Sequence, residues 1–210
     1  MKALYPVSFL AFLFIGCYSQ NDSGSLSGLL PGFEPIPVTV LGDSLCERSQ
    51  GFGLGEGLGS NFAITEACVS LRGAADWLPE LNLALTNTPR LIIIELGLND
   101  LLYHPIAVFP DNYSALLSEL GSRSNAVLMV TVLPVPTTVY RSDIQNMNLF
   151  LKGLGSSHPL ADMETPFLAA ESQVELYPVT DPIHPTPSGY AIMKTVYISA
   201  VAKLFNLPSL

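Results

Sequence analysis

The stretch LIIIELGLND, residues 91–100, sets a continuously apolar run against a glycine, an amide and a carboxylate. Read as a strand, a run with so little polar alternation suits a sheet covered on both faces by helices. The same arrangement recurs at PVTVL (37–41), NFAITEA (61–67) and AVLMVTV (126–132). Helix-like segments separate these runs, around 45–50, 74–86 and 111–121, the last opening with the start signal Pro110-Asp111. Strand and helix in alternation predict parallel βαβ units. A helix near 143–154, a weak strand around 160–163 and a C-terminal helix opening in PTPSGYAIMKTVYISAVAKLF (185–205) complete the pattern. The fold class is therefore α/β: a three-layer α/β/α sandwich around a parallel sheet of about five strands.

Hydrophobic residues make up 49% of the 210 residues and charged ones 13%, with a net charge of −9. Such a chain is neither disordered nor a basic nucleic-acid binder. The apolar run from Leu4 to Ile15 follows a single lysine and is too short to cross a bilayer, so residues 1–16 read as a signal peptide. Phe14-Ile15-Gly16-Cys17 resembles a lipoprotein cleavage box, which predicts lipidation at Cys17. The alternative is plain secretion. Residues 17–36, rich in Ser, Gly, Asn and Pro, read as a flexible tether, and residues 37–210 as the domain. The expected location is an exported, membrane-anchored lipoprotein of the periplasm or cell surface, the protein itself monomeric. Cys46 and Cys68 each follow a predicted strand, and in an exported chain they read either as a disulfide or as two small buried hydrophobes.

In open parallel sheets ligands bind outside the carboxyl ends of the strands. The loops there offer Gly42-Asp43-Ser44, then Ser70-Leu71-Arg72-Gly73, then Gly97-Leu98-Asn99-Asp100. Just before the last helix comes Asp181-Pro182-Ile183-His184. A serine nucleophile needs a base to take its proton, and the base needs an orienting acid. At three-residue spacing the Asp181 carboxylate can reach Nδ1 of His184, leaving Nε2 for Ser44. The other histidines, His104 and His158, have no acid three residues before them. An oxyanion needs preorganised donors, and the Ser44 N–H, the Gly73 N–H and the Asn99 amide are the candidates.

On these residues the chain resembles the SGNH, or GDSL, family of esterases and lipases, whose name-giving residues match Ser44, Gly73, Asn99 and His184. The motifs stand as GDSL at 42–45, the block around Gly73, GLND at 97–100 and DPIH at 181–184. Leu98 and Pro182 replace frequent glycines, Cys46 a frequent threonine, and VSLRGAAD leaves the register of the second block ill defined. The resemblance implies a flavodoxin-like SGNH fold and a serine esterase of lipase, lysophospholipase or arylesterase type. It acts on small-molecule or lipid esters through an acyl-enzyme on Ser44. A carbohydrate or cell-envelope acetylesterase is the rival within enzymology, and a non-catalytic surface lipoprotein that binds a ligand is the rival outside it. No Cys/His cluster has zinc-ligand spacing, so neither metal nor cofactor is expected. The glycine-alternating GFGLGEGLG (51–59) fails the phosphate-loop spacing and predicts a mobile or irregular segment bordering the site. Trp77, Tyr103 and Phe109 are candidates for an acyl pocket or for core.

Overall fold

The computed structural model describes residues 34–136 and 139–207. The predicted signal peptide, the predicted lipidation site Cys17 and most of the predicted tether lie outside the described residues. The apolar run that opened the sequence becomes β3 (Leu91–Glu95), and Leu91 to Ile94 are all fully buried. A strand with no exposed residue on either side of its pleat is covered on both faces. Around it stand β1 (Ile36–Gly42), β2 (Phe62–Cys68), β4 (Val127–Val132) and β5 (Leu160–Asp162). All pairings are parallel, in the order β2-β1-β3-β4-β5. The connection from β1 runs outward to β2, and the chain then returns across β1 to β3. This reversal opens a crevice at the carboxyl ends of β1 and β3, where ligands bind in doubly wound sheets.

Helices form the outer layers. On one face α3 (Ala74–Trp77) packs on α5 (Phe109–Arg123), which meets α6 (Arg141–Gly153) through Phe109, Tyr113 and Phe150. On the other, α2 (Leu54–Leu58) and α7 (Glu164–Ala170) pack on α8 (Pro187–Leu204). Thr186 caps α8 by accepting the Gly189 N–H, and Pro187 starts it without a wasted donor.

Three sequence expectations need correction. The helix predicted over 74–86 stops at Trp77 and continues as a 3-10 turn (Leu78–Glu80) containing Pro79, which has no N–H to carry the α-helix on. The short helices α4 (Leu98–Tyr103) and α7 fall where no helix was predicted, because six or seven residues give too little periodicity to read. Finally, GFGLGEGLG is folded, with Phe52, Leu54 and Leu58 buried. Its glycines serve conformation and close approach: Gly51, Gly53 and Gly59 have positive φ, and a Cβ on Gly57 would stand 2.3 Å from Ile198 on α8. The segment packs against α8 and does not line the cleft described below.

Cys46, on the short helix α1 (Ser44–Arg48), forms a disulfide with Cys68 at the end of β2, their Cα atoms 5.5 Å apart. The bridge ties the nucleophile-bearing helix to the neighbouring strand. Closing a loop across 22 residues constrains the unfolded chain by about 3 kcal/mol in the loop-entropy account. The double variant Cys46→Ala/Cys68→Ala is expected to lose that much in chemical denaturation. An unchanged denaturation midpoint, or free thiols in the native protein, would refute a structural bridge.

Candidate active site

At the end of β1 the chain turns through Asp43 into α1. Asp43 caps that helix, its Oδ1 accepting the Leu45 N–H at 2.9 Å. The cap fixes Ser44 as the first helical residue, facing the crevice, 8% exposed. The Ser44 hydroxyl lies 3.0 Å from His184 Nε2, across 140 residues of sequence. His184 Nδ1 lies 2.8 Å from Asp181 Oδ2. The second Asp181 oxygen accepts the backbone N–H groups of Ile183 and His184, at 3.1 and 3.0 Å. Burial works against ionising Asp181, but the backbone and ring of His184 and the Ile183 N–H outweigh it and hold the carboxyl below the usual range. The aspartate is therefore an anion fixed in place, and the ring it faces is oriented with Nδ1 toward the acid and Nε2 toward the serine. The three residues predicted as nucleophile, base and acid are brought together as one chain of hydrogen bonds.

Asn99 enters from the opposite side on α4, buried to 4%. Its amide nitrogen donates to Asp43 Oδ2 at 2.9 Å and to the Arg72 carbonyl at 3.1 Å. These bonds connect the loops after β1, β2 and β3 at one atom. Behind them sit three buried carboxyl groups: Asp43, Glu95 and Asp100. Asp100 spends both oxygens on the Ala74 N–H, and burial raises its pKa.

Gly73 is not where the sequence reading put it. Its N–H donates to Asp76 Oδ2 at 2.8 Å, a bond at the start of α3, and it does not line the cleft. A Cβ there would stand 2.8 Å from the Asp100 carboxyl, so the glycine serves close packing against α4 rather than access for a ligand. The residue of that loop that does line the cleft is Leu71, 65% exposed, with φ at +69°, a left-handed conformation that favours glycine.

Ser44, Arg48, Ser70, Leu71, Asn99 and His184 surround a cleft of about 170 Å³, completed by Leu102, Tyr103 and Ile183. Of the three aromatics singled out in the sequence, Trp77 and Phe109 are core, and Tyr103, 59% exposed, is at the cleft. A larger cavity, about 550 Å³, opens beside Leu85, Arg90 and Val127, where β3 and β4 begin. It lies at the wrong edge of the sheet for the serine. Sequence reading missed Arg48, whose guanidinium is 3.6 Å from Asp181 Oδ2. It also missed Glu95; its only signal was a lone carboxylate in an otherwise apolar strand. Among the described residues no cluster of metal-ligating side chains is present. No helix among them is long and apolar enough to cross a membrane.

Comparison with known proteins matches residues 40–192 to the GDSL-like Lipase/Acylhydrolase family. Among solved structures, the acetyl xylan esterase AlAXEase superposes with a TM-score of 0.69 at 18% identity, covering 79% of this chain and all of its own. The lipase/acylhydrolase from Enterococcus faecalis gives 0.68 at 17%, covering 83% and 98%. The psychrotrophic esterase EstA from Pseudoalteromonas sp. gives 0.63 at 19%, covering 81% and 99%. At these identities the likeness shows the shared fold. No curated protein sequence matches.

Proposed function

The chain belongs to the GDSL-like lipase/acylhydrolase family of ester-hydrolysing enzymes, and from that premise we propose that it is a serine esterase acting through an acyl-enzyme on Ser44. The observation that carries the reading is the unbroken run Ser44 Oγ, His184 Nε2, His184 Nδ1, Asp181 Oδ2, with spacings of 3.0 and 2.8 Å. Ser44 Oγ attacks the ester carbonyl while its proton passes to His184 Nε2. The imidazolium then gives that proton to the departing alcohol oxygen, leaving the acyl group on Ser44. Water repeats the sequence: His184 takes its proton, the oxygen attacks the acyl carbon, and Ser44 leaves with the proton returned. Asp181 stays anionic and holds the ring. The transient oxyanion is met by the Ser44 N–H, by the Asn99 amide hydrogen now on the Arg72 carbonyl, and by the Leu71 N–H in the place first given to Gly73.

The size of the cleft favours a short acyl group. About 170 Å³ is below the range of drug-sized ligand sites, roughly 300–1,000 Å³. An acetyl group fits within it, and the alcohol half of the substrate then rests on Leu71 and Tyr103 at the rim. The acetylesterase reading therefore stands beside the general esterase one. Export and a lipid on Cys17 belong to the same proposal, and mass spectrometry of the mature N-terminus tests them.

The deciding experiment is a panel of p-nitrophenyl esters from acetyl to palmitoyl. Acetyl and butyryl esters are expected to turn over fastest, and activity is expected to fall at acidic pH, because His184 must be neutral to accept the Ser44 proton. Hydrolysis of no ester in the panel would leave the ligand-binding reading. A palmitoyl preference would remove the short-acyl one.

A further inference from the structure

Glu95, the last residue of β3, is fully buried, and neither of its carboxyl oxygens has a hydrogen-bond donor of ordinary geometry. It faces the Asp43 carboxyl and the backbone N–H groups of Asp43 and Cys46. Gly42, immediately before Asp43, leaves the room for this approach: a Cβ there would stand 3.1 Å from Glu95 Oε2. Asp43, 1% exposed, already accepts from the Leu45 N–H on one oxygen and from Asn99 on the other. The carboxyl charges acting on the two are each other's and that of Asp100. Two adjacent buried carboxylates with no cation between them do not both ionise. The group that accepts two good donor bonds is the one that keeps its charge, and the group without them is the one that keeps a proton.

We propose that Glu95 is a neutral carboxylic acid that donates its proton to Asp43, and that this shared proton positions both the Ser44 loop and the Asn99 amide. Glu95 touches no substrate; it acts through Asp43. Asp43 is the hinge of the arrangement, since the same carboxylate caps α1 behind Ser44 and holds Asn99. Burial, and next the Asp43 charge, push Glu95 well above the ordinary carboxyl range, in keeping with this assignment. The other titratable groups near enough to feel its charge are the buried Tyr113 on α5 and Tyr197 on α8 and the partly buried Tyr177, in the loop before Asp181, and Tyr190 on α8. All four are pushed upward and stay neutral, and a phenol offers no positive charge in any state, so the pair has no cation from them.

Infrared spectroscopy of the native protein tests the assignment directly. Near neutral pH the wild type is expected to show the carbonyl stretch of a neutral carboxylic acid, and Glu95→Gln to lose the Glu95 part of it, leaving what Asp43 and Asp100, which burial also raises, contribute. A wild-type spectrum with no such band, or a band of undiminished intensity in Glu95→Gln, overturns the proposal. The kinetic half rests on the esterase reading. Glu95→Gln, whose amide can donate to Asp43 as the neutral acid does, is expected to keep kcat within a few fold at neutral pH. It is also expected to lose the alkaline fall in rate that the proposal expects of the wild type as the shared proton leaves. Glu95→Leu is expected to lose at least about tenfold in kcat with KM little changed. Should Glu95→Leu fail to fold, the infrared comparison and the alkaline limb of Glu95→Gln still decide. An alkaline limb identical in wild type and Glu95→Gln would overturn the positioning role. Absence of all turnover with the band present would sink the esterase reading and leave the proton assignment standing.

Discussion

Ser44→Ala is expected to lower kcat for ester hydrolysis by about 10⁴- to 10⁶-fold, the range that removal of a serine nucleophile produces in hydrolases of this logic. The loss is chemical rather than structural. The hydroxyl's hydrogen-bond partner is His184 Nε2, and the helix cap that fixes residue 44 belongs to Asp43. Alanine therefore leaves α1, the disulfide behind it and the Asn99 bonds in place, and the thermal midpoint should move little. His184→Ala should cost a similar factor, and the double variant no more than either alone, because nucleophile and base act as one unit. Steady-state kinetics on a p-nitrophenyl ester of short acyl chain measures both. A Ser44→Ala enzyme running within tenfold of wild type would end the Ser44 mechanism, since of the cleft serines it is Ser44 that meets a histidine, the Ser70 hydroxyl being bonded to the Glu47 carboxylate.

The sheet could be read from the sequence because its strands are buried on both faces. LIIIEL and AVLMVTV show almost no polar residue to mistake for anything else, and they became β3 and β4 within a residue of the predicted bounds. Ser44, Asp181 and His184 were legible for a different reason: a base and its acid three residues apart make a local pattern, and a strand-to-helix turn announces its serine. What stayed hidden depends on contacts between distant loops. Gly73 looked like an open backbone donor, yet its N–H is closed by Asp76 and its missing Cβ makes room for Asp100, from a different loop. Nothing local marks Leu71 as the residue at the cleft, because a positive φ at a leucine is imposed by the surrounding fold. The glycines at 51–59 misled for the opposite reason. Their spacing suggested looseness, whereas Gly57 is small because Ile198, well over a hundred residues away, lies against it.

Asn99→Ala should lower kcat by about 10²- to 10³-fold, the effect of deleting one side-chain donor to an oxyanion. It should also destabilise the fold, because the same amide satisfies Asp43 Oδ2 and the Arg72 carbonyl in the resting enzyme. Leaving a buried acceptor unpaired costs about 1–3 kcal/mol, so a shift in denaturation midpoint is expected alongside the kinetic loss. The two effects separate by substitution. Asn99→Asp keeps the shape but adds a fourth carboxyl to Asp43, Glu95 and Asp100, which is expected to destabilise the protein most at high pH and least at low pH, where the added group is protonated. The sign follows from burial: a carboxyl raised above its unfolded pKa contributes its full stability below the unfolded value and loses it as pH rises, at about 1.4 kcal/mol per pH unit per proton. Urea denaturation of Asn99→Ala and Asn99→Asp at several pH values, with kcat measured at each, resolves the two roles. If Asn99→Ala lost stability but kept its rate on a short-chain ester, Asn99 would be a strut between three loops and the oxyanion would have to be held by backbone N–H groups alone.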